Sequence, residues 1–412
     1  MTDTSAAAPG TAPANSRNAA WAPIAIAIAA AGFSLRPPIT SIGAVLGFVP
    51  DATGVNPTVI GWIVTVPLWC YAAGGILTPR CAARWGLDRT VAGALAIMAI
   101  GQVVRVAGGA GLLLVGTTVT ALATAVVATL LPVIAGRSGA GVTRLTAIYA
   151  PAIGIGSAAG AFLTAPVSAA TSWRWGLGVW APLCALALVA WLRARRQSID
   201  AIPFTKTVAV QRTSVPWGWV LRRWQSWLLA VLFAAWAVTA FGVTSWLPSI
   251  YQAAGVDRAQ AGMLLGIAAA AGIPVAMLLP GMLRRSRPGL PIAFATAIPA
   301  AGLVGLWWMP ATLSWLWAVA VGVGLGSLSL VLTLVPLSAP EPAWVTTISA
   351  VTHGLGYALA GGGVAALSAL QVHTGDWGAV LWLLLAMYAV QAAAGVAILR
   401  SRLRPATPAR AS

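Results

Sequence analysis

Long apolar runs alternate with short polar breaks along the whole chain. Twelve runs reach or approach the roughly 20 residues that an α-helix needs to cross hydrocarbon. They are Trp21–Val49, Pro57–Leu77, Thr90–Val106, Leu112–Ala135, Val142–Ala170 and Gly176–Trp191, then Trp227–Tyr251, Ala259–Met282, Gly289–Met309, Leu313–Leu337, Thr346–Leu370 and Gly378–Leu399. The runs are too long for barrel strands and lack period-two alternation. The expected fold is an all-α membrane protein, a bundle of twelve transmembrane helices in two six-helix halves. Residues 1–20, rich in Ala, Pro, Ser and Thr, read as a disordered cytoplasmic tail. Residues 21–192 form the first half, 193–225 a basic cytoplasmic linker, 226–400 the second half and 401–412 a second tail. The stretch Arg193–Gln225 holds seven basic residues and is the one long polar interruption. Such a division is typical of duplicated transporters.

Composition narrows the class. Hydrophobic residues make up 59% and charged residues 8%, against about 25% charged in soluble proteins. That excludes a soluble enzyme and a disordered chain. The net charge of +17 suggests a nucleic-acid binder, but the basic residues sit at the ends of the apolar runs. With the amino terminus inside, 20 of the 24 basic residues face the cytoplasm and only Arg174 and Arg258 face out. This asymmetry places both termini in the cytoplasm. Asp51, Asp257 and Asp376 fall in outer loops. Cys70, Cys81 and Cys184 form no CxxC pair and imply neither a disulfide framework nor a metal site. No cofactor is called for.

Two arginines remain, inside predicted spans. A charge in hydrocarbon costs several kcal/mol, so it normally faces a cavity or a partner and is a functional candidate. Arg36 lies 15 residues after Trp21 and 14 before Pro50, near mid-membrane. Pro37 and Pro38 follow it at once. They remove two amide donors, free the carbonyls of Phe33 and Ser34, and push Arg36 from helical dihedrals. The first span is therefore expected to break, with a new half-helix starting near Pro37 whose positive end adds to the arginine's potential. Thr40, Gly43 and Gly47 share its face, and Thr40 and Ser41 are candidate hydrogen-bond donors. Arg105, near the outer end of the third span, is a candidate for an outer vestibule that attracts anions.

No Asp or Glu lies inside any predicted span. An intramembrane arginine then has no built-in counter-ion, and a negatively charged substrate would supply one. The same absence argues against carboxylate proton relays. It also leaves no mid-depth cluster for a membrane-embedded enzyme. His353 in the eleventh span can titrate near neutral pH and leaves proton coupling open. With Tyr357 four residues on, it is placed to line the cavity from the second half. Trp69, Trp236 and Trp246 are candidate cavity walls. The glycine triplets Gly154, Gly156, Gly160 and Gly322, Gly324, Gly326 resemble nucleotide fingerprints but lie in apolar helices, where close helix packing explains them better.

These residues carry a resemblance. The first span reads GFSLRPPITSIGAVL, similar to the Asn-Leu-Arg-Pro…Thr-Ser-x-Gly-Pro pattern of the bacterial cyanate and nitroimidazole transporters, a family within the major facilitator superfamily. Ser34 and Ala44 stand where that pattern has Asn and Pro. Arg105 ends the third span as the family's arginine does, and Pro132 matches in ATLLPVIAGR. Trp246-Leu247-Pro248, Gly272-Ile273-Pro274 and Gly356-Tyr357 match further landmarks. Trp236 and His353 stand where the family tends to have glutamine, and Ala83 replaces the acid before Arg84. The resemblance implies a major-facilitator-type bundle in a bacterial inner membrane, with Arg36 as the substrate-binding arginine; His353 and Tyr357 are expected, from their place in the eleventh span, to close the site from the other half. It implies an alternating-access secondary transporter, expected as a monomer, for a small, cyanate-like anion or polar solute. Efflux of a nitroaromatic or other hydrophobic drug is the alternative.

Overall fold

The computed structural model describes residues 14–137, 142–197, 217–285, 289–338 and 344–403, and every regular element among them is helical. Most of the two expected tails and the linker's residues 198–216 lie outside these. Helices α1 (Ala14–Ser34) and α2 (Pro37–Val45) build the first span, followed by the short α3 (Val49–Thr53). Spans two to five are α4 (Pro57–Trp85), α5 (Leu87–Val104), α6 (Ala110–Arg137) and α7 (Val142–Ala170). The sixth combines α8 (Trp173–Gly178) with α9 (Trp180–Gln197). After the short α10 (Trp217–Leu221) come α11 (Trp224–Ala253), α12 (Arg258–Arg285) and α13 (Gly289–Trp308). The tenth span is α14 (Ser314–Gly326) plus α15 (Leu328–Ser338), and α16 (Val345–Thr374) and α17 (Trp377–Leu403) complete the bundle. Twelve spans are long and apolar enough to cross a membrane. An even number of crossings puts Ala14 and Leu403 at one end, the termini end; the other is the far end.

Local chemistry explains the helix boundaries. Asn56 accepts the Thr58 amide at 2.9 Å, with Pro57 in the first turn of α4. Asp257 and Asp376, expected only as loop acids, are far-end caps. They accept the amides of Ala259 and Gly378 at 2.8 and 2.9 Å. The expected break between α1 and α2 is present, and Arg36 is the N-cap residue of α2, but it keeps right-handed helical dihedrals (φ −105°, ψ −38°) instead of being pushed out of them. A second break, at Ser327 in the tenth span, was not expected. The Ser327 hydroxyl donates to the Gly324 carbonyl at 2.7 Å and accepts the Gln391 amide at 3.1 Å. Side-chain bonds thus replace part of the interrupted ladder.

Two hydrophobic clusters divide the first half by depth. One contains Ile24, Ile28, Leu35, Val91, Leu95, Leu130 and Trp191, all toward the termini end, and has no member from the second half. The other joins Ile39, Val45, Val49, Ile63, Leu68 and Leu177, all toward the far end, to the core of the second half. The halves are therefore fused by apolar packing at the far end. Toward the termini end the first half buries its apolar side chains against itself. The boundary falls in the first span between Leu35 and Ile39, and Arg36 sits on it.

Glycines permit the far-end closure. A Cβ on Gly43 would overlap the Thr244 carbonyl oxygen, and one on Gly47 would meet the Gln252 side chain. Gly61 faces Ser368, and Gly262 and Gly266 face Ala165 and Phe162. The triplets read as packing glycines do pack. Gly156 lies on the Phe33 carbonyl, Gly160 on Thr40 and Pro37, Gly322 on Ala268, and Gly326 on the Gly272 carbonyl.

The Gly43 contact predicts a conformational effect. Backbone cannot retreat from a new side chain as a rotamer can. Gly43→Val should hold α2 and α11 apart, so spin labels at Thr58 and Thr374 should gain a longer-distance population. An unchanged distribution would show that closure does not require this contact.

Candidate functional site

The two membrane arginines have opposite environments. Arg105 ends α5 with no exposed surface. Its guanidinium donates to the Pro38 carbonyl at 2.8 Å, to the Leu177 carbonyl at 3.0 Å and to the Ser41 hydroxyl at 3.4 Å. Gly116 of α6 lies against its backbone, leaving no room for a Cβ. Arg105 thus ties α5 to α2 and α8 instead of lining an outer vestibule. Its Nε has no hydrogen-bond partner.

Arg36 is half-buried, and among the described residues its side chain has neither a hydrogen bond nor an ion pair. Its backbone carbonyl accepts the amides of Ile39 and Thr40, both at 3.0 Å, starting α2. The guanidinium is close enough to Tyr71 of α4 and Tyr357 of α16 for its charge to act on both. Those two rings stack with centroids 5.1 Å apart and planes 23° apart, bridging the halves. Phe233 of α11 meets Tyr357 edge-on at 4.8 Å, and Phe241 lies 6.1 Å from Tyr71. Tyr71, Phe233, Phe241 and Tyr357 thus form an aromatic cluster across the two halves, with both phenols within range of the Arg36 charge.

His353 extends this cluster, 4.6 Å from Phe233 between ring centroids. Its Nδ1 lies 2.7 Å from the Ser349 carbonyl, which only accepts, so Nδ1 carries the proton. In the neutral ring Nε2 is then the acceptor. Trp236 packs edge-on to Phe233 at 5.4 Å, fully buried, with an unpaired Nε1.

Other sequence-nominated residues lie elsewhere. Thr40 and Ser41 are buried at 1% and 0% exposure. Thr40 donates to the Arg36 carbonyl at 3.2 Å and packs on Gly160, while Ser41 serves Arg105. Neither hydroxyl is placed beside the Arg36 guanidinium as a free donor. Trp69 is 38% exposed, pairs with Trp62 at 5.7 Å and lies on Gly361. Trp246 packs on Trp377 near the far end. Sequence reasoning missed Tyr71, Phe233 and Phe241. Tyr71 had a usable signal: it is one of five tyrosines and sits mid-span, 14 residues after Pro57.

Comparison with known proteins agrees with this architecture. Residues 24–365 match the Major Facilitator Superfamily, and the chain belongs to that family. It is a multi-pass membrane transporter, not an enzyme. It is 27% identical to a 2-nitroimidazole transporter of Escherichia coli K12, over 86% of this chain and 91% of that one. It is 25% identical to the cyanate transport protein CynX of the same organism, over 80% and 85%. In three dimensions it resembles a bacterial homologue of the human lysosomal transporter Spinster, solved inward-facing and unoccupied. That match has a TM-score of 0.72 and 14% identity, covering 96% of this chain and all of the other.

The contrast between the arginines predicts different stability effects. Arg105→Gln leaves buried carbonyls short of their charged donor. It should cost about 2–4 kcal/mol, lowering the melting temperature of detergent-solubilised protein by roughly 5–10 °C. Arg36→Gln should shift it by less than about 2 °C. Equal losses in both variants would contradict the assigned environments.

Proposed function

We propose that this protein is an alternating-access secondary transporter of a small anionic or negatively polarised solute, cyanate-like in charge and size, and that Arg36 is its binding group. The observation that carries this reading is the Arg36 guanidinium itself. It is half-buried at mid-depth, has no partner among the described residues, and stands where the packing of the two halves separates. A buried cation without a counter-ion is stabilised when an anion arrives, and this position would be reached from the termini end. Tyr71 and Tyr357 would donate to the solute from opposite halves, so binding would draw the halves together. His353 Nε2 would report protonation to the same chamber, which is how a proton gradient would couple. The relatives that carry cyanate and 2-nitroimidazole support a small, polar solute.

The arginine asymmetry supports cytoplasmic termini in a bacterial inner membrane, with the 193–225 segment as a linker between the halves. In that orientation the far-end packing of the two halves would favour access to Arg36 from the cytoplasm. Nothing in the arrangement calls for a second copy, and the proposed unit is a monomer. A second reading is favoured by the Tyr71–Tyr357 stack: export of a flat nitroaromatic, held by the rings with Arg36 opposite its nitro group.

The deciding measurement is uptake into proteoliposomes under an imposed pH gradient, with cyanate and a panel of small anions. Wild type should accumulate at least one anion, and Arg36→Gln should lose at least about 90% of that flux, as loss of a charge-assisted contact predicts. His353→Gln should abolish the response to the gradient while retaining exchange. Undiminished flux in Arg36→Gln sinks the anion assignment. Thermal stabilisation by nitroaromatics that survives Arg36→Gln favours the export reading.

A further inference from the structure

Away from the central chamber, a cavity of about 610 Å³ opens at the termini end of the second half, between the start of α11 and the last turns of α17. Its wall is a row of small side chains on α17: Ala392, Ala393, Val396 and Ala397. These repeat at helical spacing and leave a furrow instead of a filled surface. At its mouth stand Gln225 and Arg400. Arg400 is exposed, and its side chain has no hydrogen bond or ion pair among the described residues.

The surroundings give this furrow a depth and a sign. Trp224, at the mouth, and Trp227 are 56% and 46% exposed, and Trp227 donates its indole N–H to the Leu221 carbonyl at 2.7 Å. Exposed tryptophans with a polar end in this position mark the headgroup boundary of a bilayer. Arg222 is exposed, and Arg223 lies 4.1 Å over the Trp219 ring. Among the described acids, Asp88 is paired with Arg195 in the first half, and Asp257 and Asp376 are caps at the far end. Among the described residues the groove's lining therefore carries a basic side chain, Arg400, and no acid, and the row of small side chains along α17 is apolar.

We infer that this groove is a binding site for an anionic phospholipid of the leaflet at the termini end. The Arg400 guanidinium and the Gln225 amide hold the phosphodiester, and an acyl chain lies along the Ala393–Ala397 row. Basic mouths over apolar furrows between transmembrane helices suit such lipids. The site is separate from the Arg36 chamber and does not depend on which solute is carried.

Native mass spectrometry of the intact protein in detergent tests it, with phosphatidylglycerol and phosphatidylethanolamine supplied at equal concentrations. Wild type should retain phosphatidylglycerol about tenfold better: both lipids carry the phosphodiester, but only phosphatidylethanolamine adds an ammonium, which the basic residues around Arg400 disfavour. Arg400→Gln should erase that preference. Ala397→Phe, which fills the furrow and keeps the charge, should lower retention of both lipids. Two independent variants keep the test alive if one fails to fold. Equal retention of the two lipids by wild type overturns the proposal, as does undiminished phosphatidylglycerol retention in a folded variant. Displacement of the lipid by millimolar inorganic phosphate would mark a free-anion site instead. A dimer that Ala397→Phe dissolves would mark a protein contact. Either result also overturns it.

Discussion

The bonds from Arg105 to the Pro38 and Leu177 carbonyls tie the second half of a membrane helix, interrupted by two prolines, to its neighbours. In hydrocarbon, backbone groups released by such a break find no water. The break survives because other groups occupy the exposed positions. At the break Gly156 lets α7 pack on the freed Phe33 carbonyl, and beyond it Arg105 pins the new half-helix, donating to the Pro38 carbonyl at 2.8 Å and to the Leu177 carbonyl of α8 at 3.0 Å. One arginine is used up in holding the break open. The other, at the break itself, keeps its guanidinium unbonded. This difference in bonding separates a structural cation from a candidate binding group more sharply than depth in the membrane does.

The same break divides the apolar packing. Side chains before it, such as Ile28 and Leu35, belong to the first half's own cluster, whereas those after it, such as Ile42 and Val45, belong to the core shared with the second half. A continuous helix would carry its charge along a single rigid rod. Both half-helices pack on α7 of the first half, and α2 also meets α11 and α12 of the second. The far-end glycines let the two halves approach closely where they meet.

The cluster around Arg36 combines, among the described residues, one cation with aromatic rings from both halves and no carboxylate. A cation among rings tolerates many small, planar, electron-rich solutes, because the rings supply area and the guanidinium supplies sign. Trp236 and His353 add ring faces and an imidazole to the cluster, both packing on Phe233. Selectivity here should rest more on shape and charge than on matched hydrogen bonds.

The twelve spans, the basic asymmetry and the break at Pro37–Pro38 could be read from the chain because each depends on local composition. Apolar length sets a span, and consecutive prolines interrupt a helix whatever surrounds them. The importance of Arg36 followed from the same local logic: a charge with no acid in any span. The fate of Arg105 did not, since two carbonyls from distant segments decide whether that side chain is bound or free. Thr40 and Ser41 share the arginine's helix, yet packing against α7 and α5 turned their hydroxyls to other partners. Tyr71 entered the chamber, and Ser327 broke the tenth span, through contacts made across 60 residues or more of chain. Pattern along a chain reports what each segment must bury. Which polar groups then face one another depends on how the helices rotate and cross, and that is settled by many long-range contacts at once.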